Sequence, residues 1–405
     1  MINTKVFEKN LCDHCLGRLY SGLLTGLTNE ERGKAIRKNV AMMIDAKKVD
    51  CSNMNLSNFH GFKFRSRLKP GKKEKCWVCS NLFDDLDKLA KQCAKKTKNL
   101  EFETFLVGSR VKGEILSREE RMWDITGIEF VESIKSEINR GLGKRLEKIL
   151  CKEVDFKKPD ILIIADFVKG VQIQINSLYV LGYYKKLKRG IPQSKWGTPG
   201  KYKTSIQEMV AKPFMKATKG RDNSFHGYGR EDIDARCLDW RPFVIEIIEP
   251  KKRKINLKKM EKAINRSSKI KVKILRFCDK NTVRRVKTER GDKTYKVIVK
   301  FSKRVDKKDL RKLKKLKGAI SQRTPTRVAH RRADLIRKRS VKDLKYRWIN
   351  SKTIELRMRT SAGLYVKEFV TGNKGRTIPS VTQVLGVEAT PKDLDVIGIH
   401  RPKGI

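Results

Sequence analysis

Two short cysteine turns constrain the front of this chain more than any other feature. They are Cys12-Asp13-His14-Cys15 and Cys76-Trp77-Val78-Cys79. Each C-x-x-C turn aims two thiolates at one point, and two such turns together make a tetrahedral four-sulfur site of the kind that binds zinc. The spacing between them is longer than in a compact zinc ribbon, so a small folded segment must fit inside the loop they close. Cys12, Cys15, Cys76 and Cys79 would fill all four positions and leave none for water, so the expected Zn2+ is structural. Four independent cysteines or a redox pair are the competing readings, although neither turn has a thioredoxin-like context. His14 could replace one cysteine; its expected place is exposed within the turn. The remaining cysteines, Cys51, Cys93, Cys151, Cys237 and Cys278, are scattered singly.

The chain has 405 residues, room for two or three domains, and 39% of them are hydrophobic, enough for real cores. Lys and Arg number 96 against 45 Asp and Glu, a formal charge of +51. Adaptation to heat or salt adds both signs and leaves no such excess. A nucleic-acid partner explains it, because neutralising phosphates releases counterions. No apolar run is long enough to span a bilayer, and Met1 to Glu8 lacks the order of a signal peptide. The expected setting is the cytoplasm, where thiols stay reduced or bind metal.

Periodicity divides the chain in two. Helical spacing covers Asn29 to Lys47, Asp84 to Lys96 and Ile128 to Leu150. Strands are expected at Phe105-Leu106-Val107, Ile161 to Asp166 and Val171 to Ile175. The stretch Lys185 to Lys203 is rich in Lys, Gly and Pro and reads as a basic linker, which divides the chain into 1–184 and 185–405. Beyond it, Pro242 to Ile248, Ile270 to Phe277, Tyr295 to Phe301, Leu344 to Trp348 and Ile354 to Met358 read as strands, and Leu257 to Ile264 and Leu310 to Leu316 as helices. The fold class is therefore α+β, with a mainly antiparallel sheet in the second half.

Within that half, His226-Gly227-Tyr228-Gly229-Arg230-Glu231-Asp232-Ile233-Asp234 places acids behind a Gly-punctuated loop in a very basic chain. Arg230-Glu231-Asp232 resembles the Arg-x-Asp element around the catalytic aspartate of pseudouridine synthases. The stretch from His226 to Arg241-Pro242-Phe243 resembles the archaeal and eukaryotic tRNA branch that acts on the T-loop. Further segments share the resemblance: Lys188 to Trp196, Lys293-Thr294-Tyr295, Arg323-Thr324-Pro325 through His330 to Asp334, Gly363 to Val370, and Gly375 to Val381. Together they run from Lys188 to Leu385. In the N-terminal half, Cys12 to Cys15 with Leu16-Gly17-Arg18 is similar as well, and the strand and helix order there resembles a THUMP RNA-binding domain. Some members of the family carry more cysteines after the Trp; Gly197-Thr198-Pro199-Gly200 stands here, so no second metal site is expected.

The resemblance implies a cofactor-free isomerisation of tRNA uridine 54, uridine 55 or both, on a base flipped out of its stack. It implies Asp232 as the essential carboxylate, either nucleophile or base. Lys367 is the matching cation for it, with Arg230 as runner-up. Tyr295 would stack on the base, Val366 would wall the pocket, and Asp234 would order the loop. His226 and His330 are expected as loop or RNA-contact residues, and Lys251 to Lys254 and Arg331 to Arg339 as phosphate contacts. Read without the resemblance, Asp232 and Asp234 are ordinary salt-bridged acids. The competing functions are a non-catalytic zinc-containing RNA-binding protein and an RNA-modifying enzyme of another chemistry. The latter needs a nucleotide-binding Gly loop, which Gly141-Leu142-Gly143 and Gly227-Tyr228-Gly229 are too short to provide. Nothing in the chain marks an oligomer seam, so a monomer is expected.

Overall fold

A computed structural model describes residues 2–198 and 200–401. Met1, Pro199, the last four positions of the expected second domain and the side chain of Arg331 lie outside the described residues. Two compact units are formed, Met1–Asn176 and Ser177–Ile405.

The first unit opens with α1 (Asp13–Arg18) and α2 (Asn29–Asp45). Thr28 caps α2 in a full capping box with Glu31, which accounts for the expected start of that helix. The two helices cross backbone to backbone. A Cβ at Gly17 would fall 1.8 Å from the Asn29 carbonyl oxygen, and one at Gly33 would fall 2.0 Å from that of Asp13. Then follow α3 (Leu86–Thr97), β1 (Thr104–Arg110), α4 (Gly113–Thr126), α5 (Ile134–Leu150), β2 (Glu153–Val154), β3 (Ile161–Asp166) and β4 (Gly170–Ile175). The strands make a sheet in the order β2-β1-β3-β4, parallel except for β3–β4. The helix expected over 128–150 starts six residues later. Ser133 caps it by accepting from the Ser136 amide, while Ile128 lies 76% exposed in the preceding loop.

The second unit begins with β5 (Leu178–Lys186), α6 (Ile206–Thr218), β6 (Asp222–Gly227), β7 (Arg236–Ile248), α7 (Leu257–Asn265), β8 (Ile270–Cys278) and α8 (Lys280–Thr288). It continues with β9 (Lys293–Phe301), β10 (Gly318–Arg323), β11 (Ile336–Asn350), β12 (Thr353–Thr360), α9 (Val366–Thr371), β13 (Thr377–Ile378), α10 (Val381–Leu385) and β14 (Ala389–Ile399). Among the described residues the sheet runs β13-β10-β11-β12-β9-β14-β7-β5-β8, with β6 also on β7. Every pairing is antiparallel except β14–β7, which meet in parallel at Asp395–Arg236 and Val396–Cys237. The mainly antiparallel α+β architecture expected of this half is present. The boundary drawn after residue 184 falls inside β5, which is buried on both faces between β7 and β8 and so shows no alternation. The segment expected as a helix over 310–316 is a 3₁₀ run, Asp309–Leu316.

Candidate active site and metal centre

Residues 228–235 join β6 to β7 and carry the acid cluster. Glu231 turns inward, its side chain wholly buried. Its carboxylate accepts from the Tyr184 hydroxyl at 3.1 Å, and Arg241 Nε and Lys186 Nζ lie 3.1 and 3.7 Å from it. Lys186, itself fully buried, donates to the carbonyl oxygens of Ile191 at 2.9 Å and of Asp232 and Ile233 at 3.1 Å. Two of these carbonyls also accept backbone amides, Ile233 from Gly190 at 2.9 Å and Asp232 from Ala235 at 3.0 Å, so the ammonium fills a second acceptor position on each. Arg241 donates to the Tyr228 carbonyl at 2.9 Å. The loop is thus fixed through its backbone and through Glu231.

Asp232 points the other way, 35% exposed. Lys367 Nζ and Arg327 Nη2 each stand 3.6 Å from its Oδ2. Lys367, expected as the partner of Asp232, binds Asp234 more closely, at 2.6 and 2.8 Å from its two oxygens. Burial works against the charged form of Asp234, but the Lys367 ammonium outweighs it and holds the carboxyl below its usual range. Arg327 is aimed by Glu368, which accepts from its Nε at 2.6 Å. Arg230, the expected runner-up, is exposed and pairs with no acid among the described residues. The first turn of α9 therefore supplies three successive functions: Val366 faces the cavity, Lys367 reaches the two aspartates, and Glu368 holds Arg327.

Asp232 borders a cavity of about 510 Å³. Arg230, Tyr295 and Val366 line it with Asp232, together with Lys293 from the Lys293-Thr294-Tyr295 motif and with Arg327 and Leu394, for which the sequence suggests no individual role. Tyr295 lies between Met358 on β12 and Val396 on β14. Burial pushes its phenol up to about 12, so it keeps its proton at neutral pH. Burial, helped by Arg241, pulls the Lys293 ammonium down to about 8. His226 is not in a loop: it lies on β6, with Nε2 2.8 Å from Glu246. Of the basic run after β10, Arg332 donates to the Tyr365 hydroxyl at 2.7 Å and Arg337 to Thr324 Oγ1 at 2.9 Å.

In the first unit the sulfur atoms of Cys12, Cys15, Cys76 and Cys79 all lie within 4.8 Å of one another, and Cys12 and Cys79 are 3.5 Å apart. A tetrahedral ion with metal–sulfur bonds of about 2.3 Å sets its ligands about 3.8 Å apart, so these residues fit one ion and could hold a metal. Cys12 caps α1, and Arg18 Nη2 donates to Cys15 Sγ at 3.3 Å. His14 is not a fifth candidate and is not freely exposed. Its Nδ1 lies 2.7 Å from Glu137, and its ring stacks on Phe83 at 4.5 Å.

A family model described as Pus10, C-terminal, matches residues 179–400, and one described as Pus10 THUMP domain, archaeal, matches residues 89–166. The tRNA pseudouridine synthase Pus10 of Pyrococcus furiosus is 42% identical over 396 residues, covering 97% of this chain and 95% of that protein. The protein of the same name from Methanothrix thermoacetophila is 38% identical over 413 residues, covering 96% and 91%. A solved Cbf5-Nop10-Gar1 complex aligns with 54% of this chain and 48% of its own at 16% identity, with a TM-score of 0.33.

Proposed function

The chain belongs to the Pus10 family of tRNA pseudouridine synthases, and on that premise we propose that the cavity beside Asp232 converts T-loop uridine 54, uridine 55 or both to pseudouridine. What carries this reading is one constellation: Asp232, Tyr295 and Val366, from three separate parts of the chain, border the same cavity. The reaction breaks the bond from uracil N1 to ribose C1′, turns the base and forms a bond from C5 to C1′. The proton lost at C5 is balanced by one gained at N1, so no oxidant or organic cofactor enters.

A cavity of this size suits one small ligand and not a stacked strand, so the uridine must be flipped out. Asp232 acts on it as nucleophile or as base. Either role sets a carboxylate among phosphates, and Lys367 and Arg327, each 3.6 Å away, offset that negative field. Tyr295 stacks on the detached base and can donate its phenolic proton. Val366 and Leu394 form an apolar wall that lets the ring turn without a competing hydrogen bond. Lys186 and Arg241 hold Asp232 in position without touching substrate.

The four cysteines hold a structural zinc ion, and the first unit with its THUMP region grips tRNA outside the target loop. The protein works in the cytoplasm as a monomer. The test of target is primer-extension mapping of pseudouridine in tRNA transcripts with uridine 54 or 55 changed singly to cytidine. A product confined to one or both positions is expected; pseudouridine elsewhere, or none, would overturn the assignment.

A further inference from the structure

Trp240, on β7, has two ammonium groups against one ring. Lys185 Nζ lies 4.8 Å and Lys273 Nζ 4.5 Å from its centroid. Next to Lys185 on β5, in register with Lys273, is Tyr183, whose ring carries the Arg401 guanidinium at 4.4 Å. Among the described residues no acid pairs with Lys185, Lys273 or Arg401. Neighbouring cations differ: Arg189, Arg236 and Lys296 all converge on the buried carboxylate of Asp395. The cations on Trp240 and Tyr183 are therefore left with their charge unspent, and two like charges are held against one indole.

The two-residue pleat of β5 (Leu178–Lys186) puts Tyr179, Leu181, Tyr183 and Lys185 on one face. Tyr179 and Leu181 pack in the cluster that contains Tyr228, Tyr295 and Val396, three residues of the cavity wall. The uncompensated cations thus extend from the face that forms the cavity.

We propose that Trp240, Lys185, Lys273, Tyr183 and Arg401 form a ledge that binds the phosphodiester backbone of the RNA strand leading to the flipped uridine. The proposal rests on the isomerase reading for the identity of the RNA, but not for its test. A phosphate between Lys185 and Lys273 relieves their mutual repulsion, and the indole holds both side chains in reach. Contacts of this kind set the strand's position and carry no base sequence.

The experiment is equilibrium binding of an unmodified tRNA transcript to the full chain over a range of KCl, with single-turnover pseudouridine formation at saturating protein in parallel. In Lys185→Ala/Lys273→Ala the salt slope should fall by about 1 to 2 and the affinity at moderate salt by roughly tenfold, with the saturated rate unchanged. Trp240→Ala should weaken binding, and Trp240→Phe should restore it. Lys314→Ala/Lys315→Ala removes two exposed lysines elsewhere in the unit and should leave the slope near wild type. A slope in the ledge variant no different from that control would overturn the proposal. So would weakened binding of polyglutamate with tRNA binding intact, which would make the ledge a docking site for an acidic protein. If wild-type protein binds tRNA but forms no pseudouridine, the isomerase reading fails while the salt slope still decides the ledge.

Discussion

Arg18 and Arg241 are both buried, each stands beside a proposed site, and each is matched by glutamate. Their reach differs. Arg18 is held by Glu119 and Glu137 and donates at 3.3 Å to Cys15 Sγ, a proposed metal ligand. Arg241 touches no side-chain oxygen of Asp232, the proposed catalytic acid: it holds Glu231 and the Tyr228 carbonyl, and Lys186 takes the carbonyl of Asp232. A metal-binding thiolate tolerates, and is steadied by, a donor on its sulfur. A carboxylate that must meet a substrate has to stay open, so its loop is fixed from behind through backbone and a neighbour. The two units solve the same problem, holding a loop rigid, at different atoms.

The largest effect that could break this comparison is metal removal. Structural zinc contributes about 10 kcal/mol or more to the folding of small domains. Cys76→Ser, or chelation, should abolish the cooperative thermal transition of the first unit while that of the second persists, followed by circular dichroism and calorimetry. Unchanged melting would deny the cluster its structural role. Next is Arg241→Met, which leaves Glu231 in a dry site with Lys186 as its one charged partner among the described residues, at a cost of about 3–5 kcal/mol by urea unfolding. Adding Glu231→Met should return much of it. Arg18→Met should be equally damaging without metal and less so at saturating zinc, since only Arg18 acts at a ligand atom.

Smaller effects sharpen the catalytic half. Lys186→Met should lower kcat about 100-fold with tRNA affinity unchanged, since a displacement of about 1 Å at the reacting group costs that much. Lys186→Arg should recover part of it, and equal losses in kcat and affinity would reduce Lys186 to a stability residue. Arg327→Ala should cost roughly tenfold in single-turnover rate, a charge contact at 3.6 Å being weaker than a direct hydrogen bond. The last effect is on pH. Lys293 titrates near 8 when folded and near 10.5 otherwise, so its charge opposes folding below pH 8. That penalty, at most about 3 kcal/mol, lifts as pH rises from 8 to 10.5. Wild type should therefore gain stability relative to Lys293→Met over that window and not below it.

Much of this was legible in the residues, and the exceptions share a cause. The alternation at Tyr295 to Phe301 and Ile354 to Met358 marked β9 and β12 because one face of each is buried. β5 was invisible because both its faces are covered and its tyrosines and lysines break the pattern. Residues 128–133 read as helix because Ile128 and Val131 fall by chance at helical spacing. Short motifs single out Asp232, Tyr295 and Val366, which the fold brings to one cavity. Arg327 was not, because its partner Glu368 lies 41 residues away and nothing local announces the pair. Lys186 was hidden for a related reason: in a chain with 96 basic residues, a buried lysine looks like every other.

The most direct test is single-turnover tritium release from tRNA labelled at uracil C5, with tRNA binding measured alongside, for wild type, Asp232→Ala and Asp234→Ala. Wild type should release tritium, Asp232→Ala should release none while still binding, and Asp234→Ala should be slowed without being silenced. Release by Asp232→Ala at the wild-type rate would contradict the account, because the partly exposed acid of this loop that borders the cavity would then not be the one that reacts.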